Sequence, residues 1–164
     1  MKSKQILLAI FVCHSLVKNG HQLVAIVSEL SGGIENVFIN NCEVVDGAKL
    51  SHLLFIKTNE RMGGFVKNIH VSNVKSGKID LGILGIETDV LCQWRSLVPS
   101  VERRLTPIQE VYLDNETASN VKFISRILGQ KELPIKDIFL KNVKANVVSE
   151  KEHIHENVLN VNFK

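Results

Sequence analysis

The sequence lacks the residue groupings that mark several common classes of protein. Its three cysteines (Cys13, Cys42 and Cys92) are far apart and form no CxxC pair, which argues against a disulfide framework and a zinc site and predicts buried free thiols. No cluster of lysine and arginine is interleaved with aromatic residues, so nucleic acid is not an expected partner. A glycine-rich phosphate loop and a Ser-His-Asp order are also missing, and we expect no cofactor.

The composition is that of one globular domain. The 164 residues are 45% hydrophobic and 23% charged, with a formal net charge of +3, which is neither disordered nor membrane-like. Residues 1–12 imitate an export signal, because two lysines precede an apolar run. No small-residue cleavage site follows, and Val12 before Cys13 does not fit a lipoprotein signal. We therefore favour the competing hypothesis that this run is a core strand.

A short pattern recurs along the chain: an apolar residue, a second one two positions later, and an asparagine two positions after that. The four copies are Val37, Ile39 and Asn41; Ile69, Val71 and Asn73; Val111, Leu113 and Asn115; and Ile138, Leu140 and Asn142. Ile10, Val12 and His14 form a weaker first copy. The copies follow one another at uneven intervals of 32, 42 and 27 residues.

This pattern predicts an all-β protein, specifically a right-handed parallel β-helix. Alternation within each copy is typical of a strand with one buried face, and further short apolar runs lie between the copies. In a coil each rung buries its face on its neighbours, and loops of any length can leave a corner. Asparagines at equivalent corners can stack, each side-chain amide bonding to the next rung. An antiparallel β-sandwich is the rival architecture, and the asparagine register favours the coil.

Two stretches carry a resemblance to a known family. The first reads Gly-His-Gln at 20–22, Val-Ser-Glu at 27–29 and Ser-Gly-Gly at 31–33; the second reads Phe-Ile-Lys at 55–57 and Gly-Gly at 63–64. In this order and spacing they resemble the Gly-His-Gly element and the Arg-Ile-Lys element of glycoside hydrolase family 28, the polygalacturonases and their relatives. Residues 78–115 also resemble bacterial members of this family, so the likeness extends over nearly the whole chain.

The resemblance implies a pectate-lyase-like solenoid and inverting hydrolysis of galacturonan in pectin by a protein that is typically secreted or periplasmic. Family members carry their catalytic aspartates upstream of the Gly-His-Gly element, whereas only twenty residues precede His21 here and the first acidic residue of the chain is Glu29. An inverting enzyme needs two carboxyl groups, one as acid and one as base. We therefore expect residues 1–164 to form a single partial β-helix domain, truncated at its N-terminal side and inactive alone.

The resemblance also assigns roles to single residues. His21 matches the histidine that supports the acid pair, and Lys57 matches a lysine thought to hold a substrate carboxylate. Phe55 replaces the arginine, so the bidentate guanidinium is lost; in an extended segment Phe55 and Lys57 project from the same face. Arg61 is a candidate for the same groove, and Trp94 is a candidate to stack on a sugar ring, or else a packing residue.

Two function hypotheses follow. The chain is either the C-terminal part of a polygalacturonase-like hydrolase or a non-catalytic β-helical module that binds or supports acidic polysaccharide, so whether it is an enzyme stays open.

Two other groups of residues are weaker candidates for a functional site. His153 and His155 alternate on a strand and are either half of a metal site or surface imidazoles; Glu87 and Asp89 are either an acid–base pair or a loop rim.

The expected partner is an acidic polysaccharide, with no nucleic acid and no membrane. A coil that begins in mid-stack exposes an apolar rung, here Gln5 to Val12, with unpaired backbone groups. We predict self-association through this rung, or its pairing with a missing N-terminal half. A monodisperse monomer at high concentration in gel filtration would contradict self-association.

Overall fold

The computed structural model describes residues 10–26, 30–61, 63–88, 103–149 and 151–164. Their regular structure consists of strands. The strands are β1 (Ile10–Cys13), β2 (Leu16–Val17), β3 (Gln22–Ile26), β4 (Ile34–Val44), β5 (Leu50–Lys57), β6 (Val66–Glu87), β7 (Ile108–Asp114), β8 (Thr117–Val121), β9 (Phe123–Leu128), β10 (Ile135–Lys141), β11 (Lys144–Val147), β12 (His153–Glu156) and β13 (Val158–Phe163). No helix in these ranges is long and apolar enough to cross a membrane.

The strands coil into a parallel β-helix, as the repeat predicts. Strands β1, β4, β6, β7, β10 and β13 pair side by side in that order, and we call them sheet A. Strands β3, β5, the end of β6, β9 and β12 form sheet B. Strand β6 is 22 residues long and belongs to both sheets, so one continuous segment passes around the coil. Each of these pairings is parallel, which rules out the antiparallel sandwich.

The apolar residues of the repeat form the core in stacked columns. Val37 pairs with Ile69, Ile69 with Val111, and Val111 with Ile138, and all four are at most 4% exposed. The second apolar position of each copy forms a parallel column of equally buried side chains. Each rung thus covers the apolar surface of the one before it, which is the source of stability in a solenoid.

The predicted asparagine stack is present at the corner where sheet A ends. Asn41, Asn73, Asn115 and Asn142 all have a left-handed backbone, with φ between 51° and 60°, and His14 shares this conformation at 51°. The amide of Asn142 donates to Asn115, and that of Asn115 donates to Asn73, both at 3.1 Å. The stack departs from the prediction at one end, because Asn73 donates to Asn40 at 2.8 Å. The four side chains are exposed, so the stack lies on the outer surface rather than inside the coil.

A second left-handed column lies within the strands of sheet A, at the position directly before each apolar pair. It comprises Asn36, Asn68, Glu110, Asp137 and Asn160, whose φ values lie between 56° and 60°. Asn68 donates to Asn36 at 2.7 Å, and Asn160 donates to Asp137 at 2.9 Å. The two columns mark the two bends on either side of each apolar pair, and the sequence pattern identified only one of them.

The thiol prediction holds for one cysteine and is wrong for another. Cys42 is 2% exposed, whereas Cys13 is exposed, because it pairs with Asn40 at an outward position of sheet A. Both are free thiols, and Cys92 lies outside the described residues.

The first described rung has an apolar outer surface. Residues Ile10–Cys13 form β1 and pair with β4, so the run is a strand as predicted, but three of its four residues are exposed rather than in the core. Phe11 is 71% exposed and Leu16 is 58% exposed. Most of the segment proposed to associate lies outside the described residues, and self-association stays a prediction.

Candidate functional site

Lys57 and Phe55 lie on the same face of sheet B, as predicted, and this is the outer face. Ile56 between them is fully buried, whereas both neighbours are partly exposed at the end of β5. The register places Lys57 beside Glu87 and Phe55 beside Gly85 on β6. A cation and a carboxylate therefore stand side by side on neighbouring rungs.

An arginine that the sequence analysis did not single out completes this group. Arg126 on β9 pairs with Gly85, so it occupies the same column as Phe55, two rungs farther on. Its Nη1 donates to Oε1 of Glu87 at 2.5 Å, in a partly exposed ion pair. We call Lys57, Glu87 and Arg126 the sheet B charge cluster. A basic residue at an alternating position of an apolar strand, as in FISRIL, is the signal that could have found it.

Rings cover the glycines of β6 next to this group. The His52 and Phe55 rings stack with centroids 4.5 Å apart, and a Cβ added to Gly85 would lie 2.7–2.8 Å from both rings. A Cβ on Gly82 would lie 2.1 Å from the Phe123 ring and 2.8 Å from the backbone oxygen of Phe123. Because Gly82 and Gly85 have no side chains, the rings can lie flat against β6 at these positions.

His52 is held in its neutral form. Its side chain is almost fully buried, and burial, followed by the charges of Arg126 and His21, lowers its pKa to about 4. A ring nitrogen lies 3.3 Å from Ser51 Oγ. At neutral pH, His52 therefore contributes a hydrogen-bonding ring and no charge.

His21 lies at the other end of the sheet B strands from Lys57. The backbone N–H of Ser51 donates to the His21 oxygen at 2.8 Å, and the Ser51 hydroxyl donates to the same oxygen at 2.9 Å. Ser51 is six residues before Lys57, so His21 and Lys57 are separated by about 20 Å of strand. The structure groups His21 with His52 and does not bring it to Lys57.

The remaining predicted residues fall in or beyond the turn after β5. The backbone N–H of Arg61 donates to Asn59 Oδ1 at 2.9 Å, in the turn that follows β5. The two glycine motifs meet nearby, since a Cβ on Gly64 would lie 2.8 Å from the Leu30 oxygen and 3.1 Å from the Gly33 nitrogen. Four further residues that the sequence analysis named lie outside the described residues: Val27, Ser28, Glu29 and Trp94.

Glu87 and the two histidines of the weaker candidate groups lie among the described residues. Glu87 is bonded to Arg126, and Asp89 lies outside the described residues. His153 and His155 lie on the same side of β12, as predicted, but are partly buried, and each has a ring nitrogen 2.7 Å from Ser125 Oγ. Burial lowers the pKa of both. No group of three metal-ligating side chains occurs in the part of the chain that the structure describes.

Comparison with known proteins supports the fold. Neither a protein-family model nor a curated protein matches this sequence. The crystal structure of a hyperthermoactive exopolygalacturonase from Thermotoga maritima superimposes with a TM-score of 0.79 at 23% identity. The match covers 94% of this chain and 33% of that enzyme, so this chain corresponds to a third of the enzyme's length. The likeness confirms a polygalacturonase-like parallel β-helix.

Proposed function

We propose that this chain is a member of glycoside hydrolase family 28 whose outer face of sheet B binds the carboxylates of a galacturonan. The observation that carries the proposal is that Lys57 lies beside Glu87 on the neighbouring rung, while Arg126 on the next rung donates a hydrogen bond to Glu87. Arg126 offers a guanidinium, which binds a carboxylate in bidentate fashion and which the family places at the position of Phe55. A uronate would take over part of the bonding that Arg126 now gives to Glu87.

We further propose that the 164 residues do not hydrolyse the polymer by themselves. Inverting hydrolysis needs an acid and a base about 6.5–9.5 Å apart with water between them. The carboxylate beside Lys57 is engaged by Arg126, and the acidic elements that the family resemblance requires are not among the residues before His21. His21 then supports no proton transfer in this chain.

The test separates binding from hydrolysis. We expect trigalacturonate to bind weakly in isothermal titration at low salt, and Lys57→Gln and Arg126→Gln each to raise Kd about fivefold, as loss of a partly exposed charge contact does. Lys49→Gln, on an exposed loop, is the matched control and should leave Kd unchanged. Equal Kd values in all four proteins would refute the binding site.

Hydrolysis is measured on the same proteins. Reducing-sugar release from polygalacturonate should stay at background in the wild-type chain. Release above background that is lost in His21→Ala would show that the chain is an active hydrolase. Binding without release favours the second candidate function, a non-catalytic module for acidic polysaccharide, over a bare fragment with neither property.

A further inference from the structure

We propose that the groove along the asparagine corner is a second binding surface, for an extended acidic polysaccharide. The groove encloses about 780 Å³ and is lined by Asn41, Asn73, Asn115 and Asn142 together with residues of the strands that follow the corner. It lies on a different part of the coil from the sheet B charge cluster, whose residues belong to sheet B.

The amides in the groove are fixed in place and only half used. Asn73 and Asn115 each donate one N–H along the stack and accept one hydrogen bond from the next rung. An amide has two N–H groups and two lone pairs, so each keeps one donor and one acceptor for a ligand. Sugar hydroxyls both donate and accept hydrogen bonds and therefore match such pairs. Because the stack holds the side chains in position, binding would order few additional rotamers.

The spacing of the groove suits a polymer. Successive rungs of a β-sheet are about 4.8 Å apart, and the stack presents one asparagine on each of several rungs. In an extended chain of six-membered sugar rings the residue repeat is close to this distance. One sugar residue can thus face each asparagine when the polymer lies along the coil axis.

The charges of the groove favour an acidic polymer. Lys75 and Lys144 both pair with Thr117, one on either side, so the two ammonium groups extend from strands about 10 Å apart. Both are exposed, and neither has an ion pair with the described residues. In a two-fold extended polyuronate, carboxylates on alternate residues project to one side at about this interval. Glu43, beside Lys75, is the opposing charge in the lining.

Nucleic acid is the competing polyanion. Sequence-tolerant binding of a single strand uses aromatic rings as stacking platforms. The residues that line the described groove are asparagine, lysine, glutamate, threonine and cysteine, with no ring among them. The lining therefore suits sugar hydroxyls and carboxylates better than bases.

The experiment follows the side-chain amide signals of the asparagines by ¹⁵N–¹H NMR during titration with decagalacturonate at low salt. We expect the Asn73, Asn115 and Asn142 signals to shift. The Kd is obtained from these shifts. The double variant Lys75→Gln/Lys144→Gln should raise the Kd about tenfold, and Glu43→Gln should lower it about twofold. Lys49→Gln/Lys136→Gln removes two exposed lysines elsewhere and is the matched control. Thermal melts verify that each variant is folded.

Several outcomes would overturn the proposal. One is that the three amide signals do not shift, and another is that the Lys75→Gln/Lys144→Gln variant binds as the wild type does. The others are an equal response to a neutral oligosaccharide of the same length and tighter binding of single-stranded DNA of equal charge.

The Lys57→Gln/Arg126→Gln variant separates the two sites. If it abolishes all binding while the asparagine signals never respond, the groove proposal fails and the proposed function stands. If the asparagine signals respond normally in it and its total binding equals wild type, the proposed function fails and the groove stands.

Discussion

The asparagine corner and the outer face of sheet B are built in opposite ways. At the corner, the same residue type recurs rung after rung with the same backbone conformation. On the outer face of sheet B, one column reads Ala25, Phe55, Gly85, Arg126 and Ile154. The corner repeats because every rung must make the same left-handed bend, which asparagine tolerates better than most residues. The sheet imposes no such demand on side chains that face outward, so this column can vary and carry binding chemistry.

The largest expected effect comes from Gly82, because the irregular face leaves no room there. A Cβ at Gly82 would overlap the Phe123 ring and approach its backbone oxygen. We expect Gly82→Ala to lower the free energy of unfolding by about 3 kcal/mol, measured by urea denaturation. Gly32→Ala is the control, since nothing lies within 4 Å of its added Cβ. A neutral Gly82→Ala would mean that the rings on sheet B are loosely held.

Glu116 tests the interior side of the asparagine corner. It follows Asn115 directly and is fully buried, and its pKa is raised to about 8 by burial first and by the charge of Asp114 further. Neither carboxyl oxygen has a hydrogen-bond partner among the described residues. The folded state thus keeps a proton that the unfolded chain loses above pH 4.5, so stability falls as the pH rises from about 4.5 to 8.

We expect Glu116→Gln to raise the free energy of unfolding at pH 7 by about 3 kcal/mol and to have little effect at pH 4. Denaturation curves at both pH values measure this, with Glu43→Gln on the exposed side as the control. A pH-independent effect would show that the Glu116 carboxyl is not responsible.

His52 makes the opposite contribution on the face of sheet B. Its folded-state pKa of about 4 lies below the ordinary value of 6.5, so its contribution to stability is complete above pH 6.5 and is lost as the pH falls to about 4. At pH 5 the loss is about 2 kcal/mol. We expect His52→Phe to reduce the acid sensitivity of unfolding between pH 6.5 and 4. An NMR titration that gives His52 an ordinary pKa would contradict this.

The smallest effect is expected at the corner itself. Asn115→Ala places an ordinary residue at a φ of 60° and removes two side-chain hydrogen bonds, which should cost about 1–2 kcal/mol. Asn115→Gly keeps the backbone conformation accessible and should cost less. If both variants lose the same stability, the amide stack matters and the backbone conformation does not.

Much of the fold was predictable because the coil repeats one local rule. The apolar pair in each copy of the pattern became two interior columns, and the asparagine became the corner. The weak copy ending at His14 was also placed correctly. The second bend was missed because its residues vary between asparagine, aspartate and glutamate. Its signal is a polar residue directly before each apolar pair, as in Asn36 and Asn68.

The candidate site was predictable only in part. Lys57 and Phe55 are neighbours in the chain, so alternation sufficed to place them on one face. Arg126 and Glu87 are 39 residues apart and meet through the register of β6 with β9. His21 and Lys57 belong to two motifs that resemble the same family. The structure nevertheless places them at opposite ends of sheet B. Loops of unequal length set these registers, and loop length carries little information about which residues will pair.

The sequence by itself determined the parallel coil, its buried columns and the bend at each asparagine, because these depend on residue periodicity and on local backbone preference. Only the tertiary structure decided which charges meet on sheet B, which histidine is neutral, and that the asparagines face a groove. Those outcomes depend on register between rungs that are distant in the chain, where the free energy of packing rather than local preference selects the neighbours.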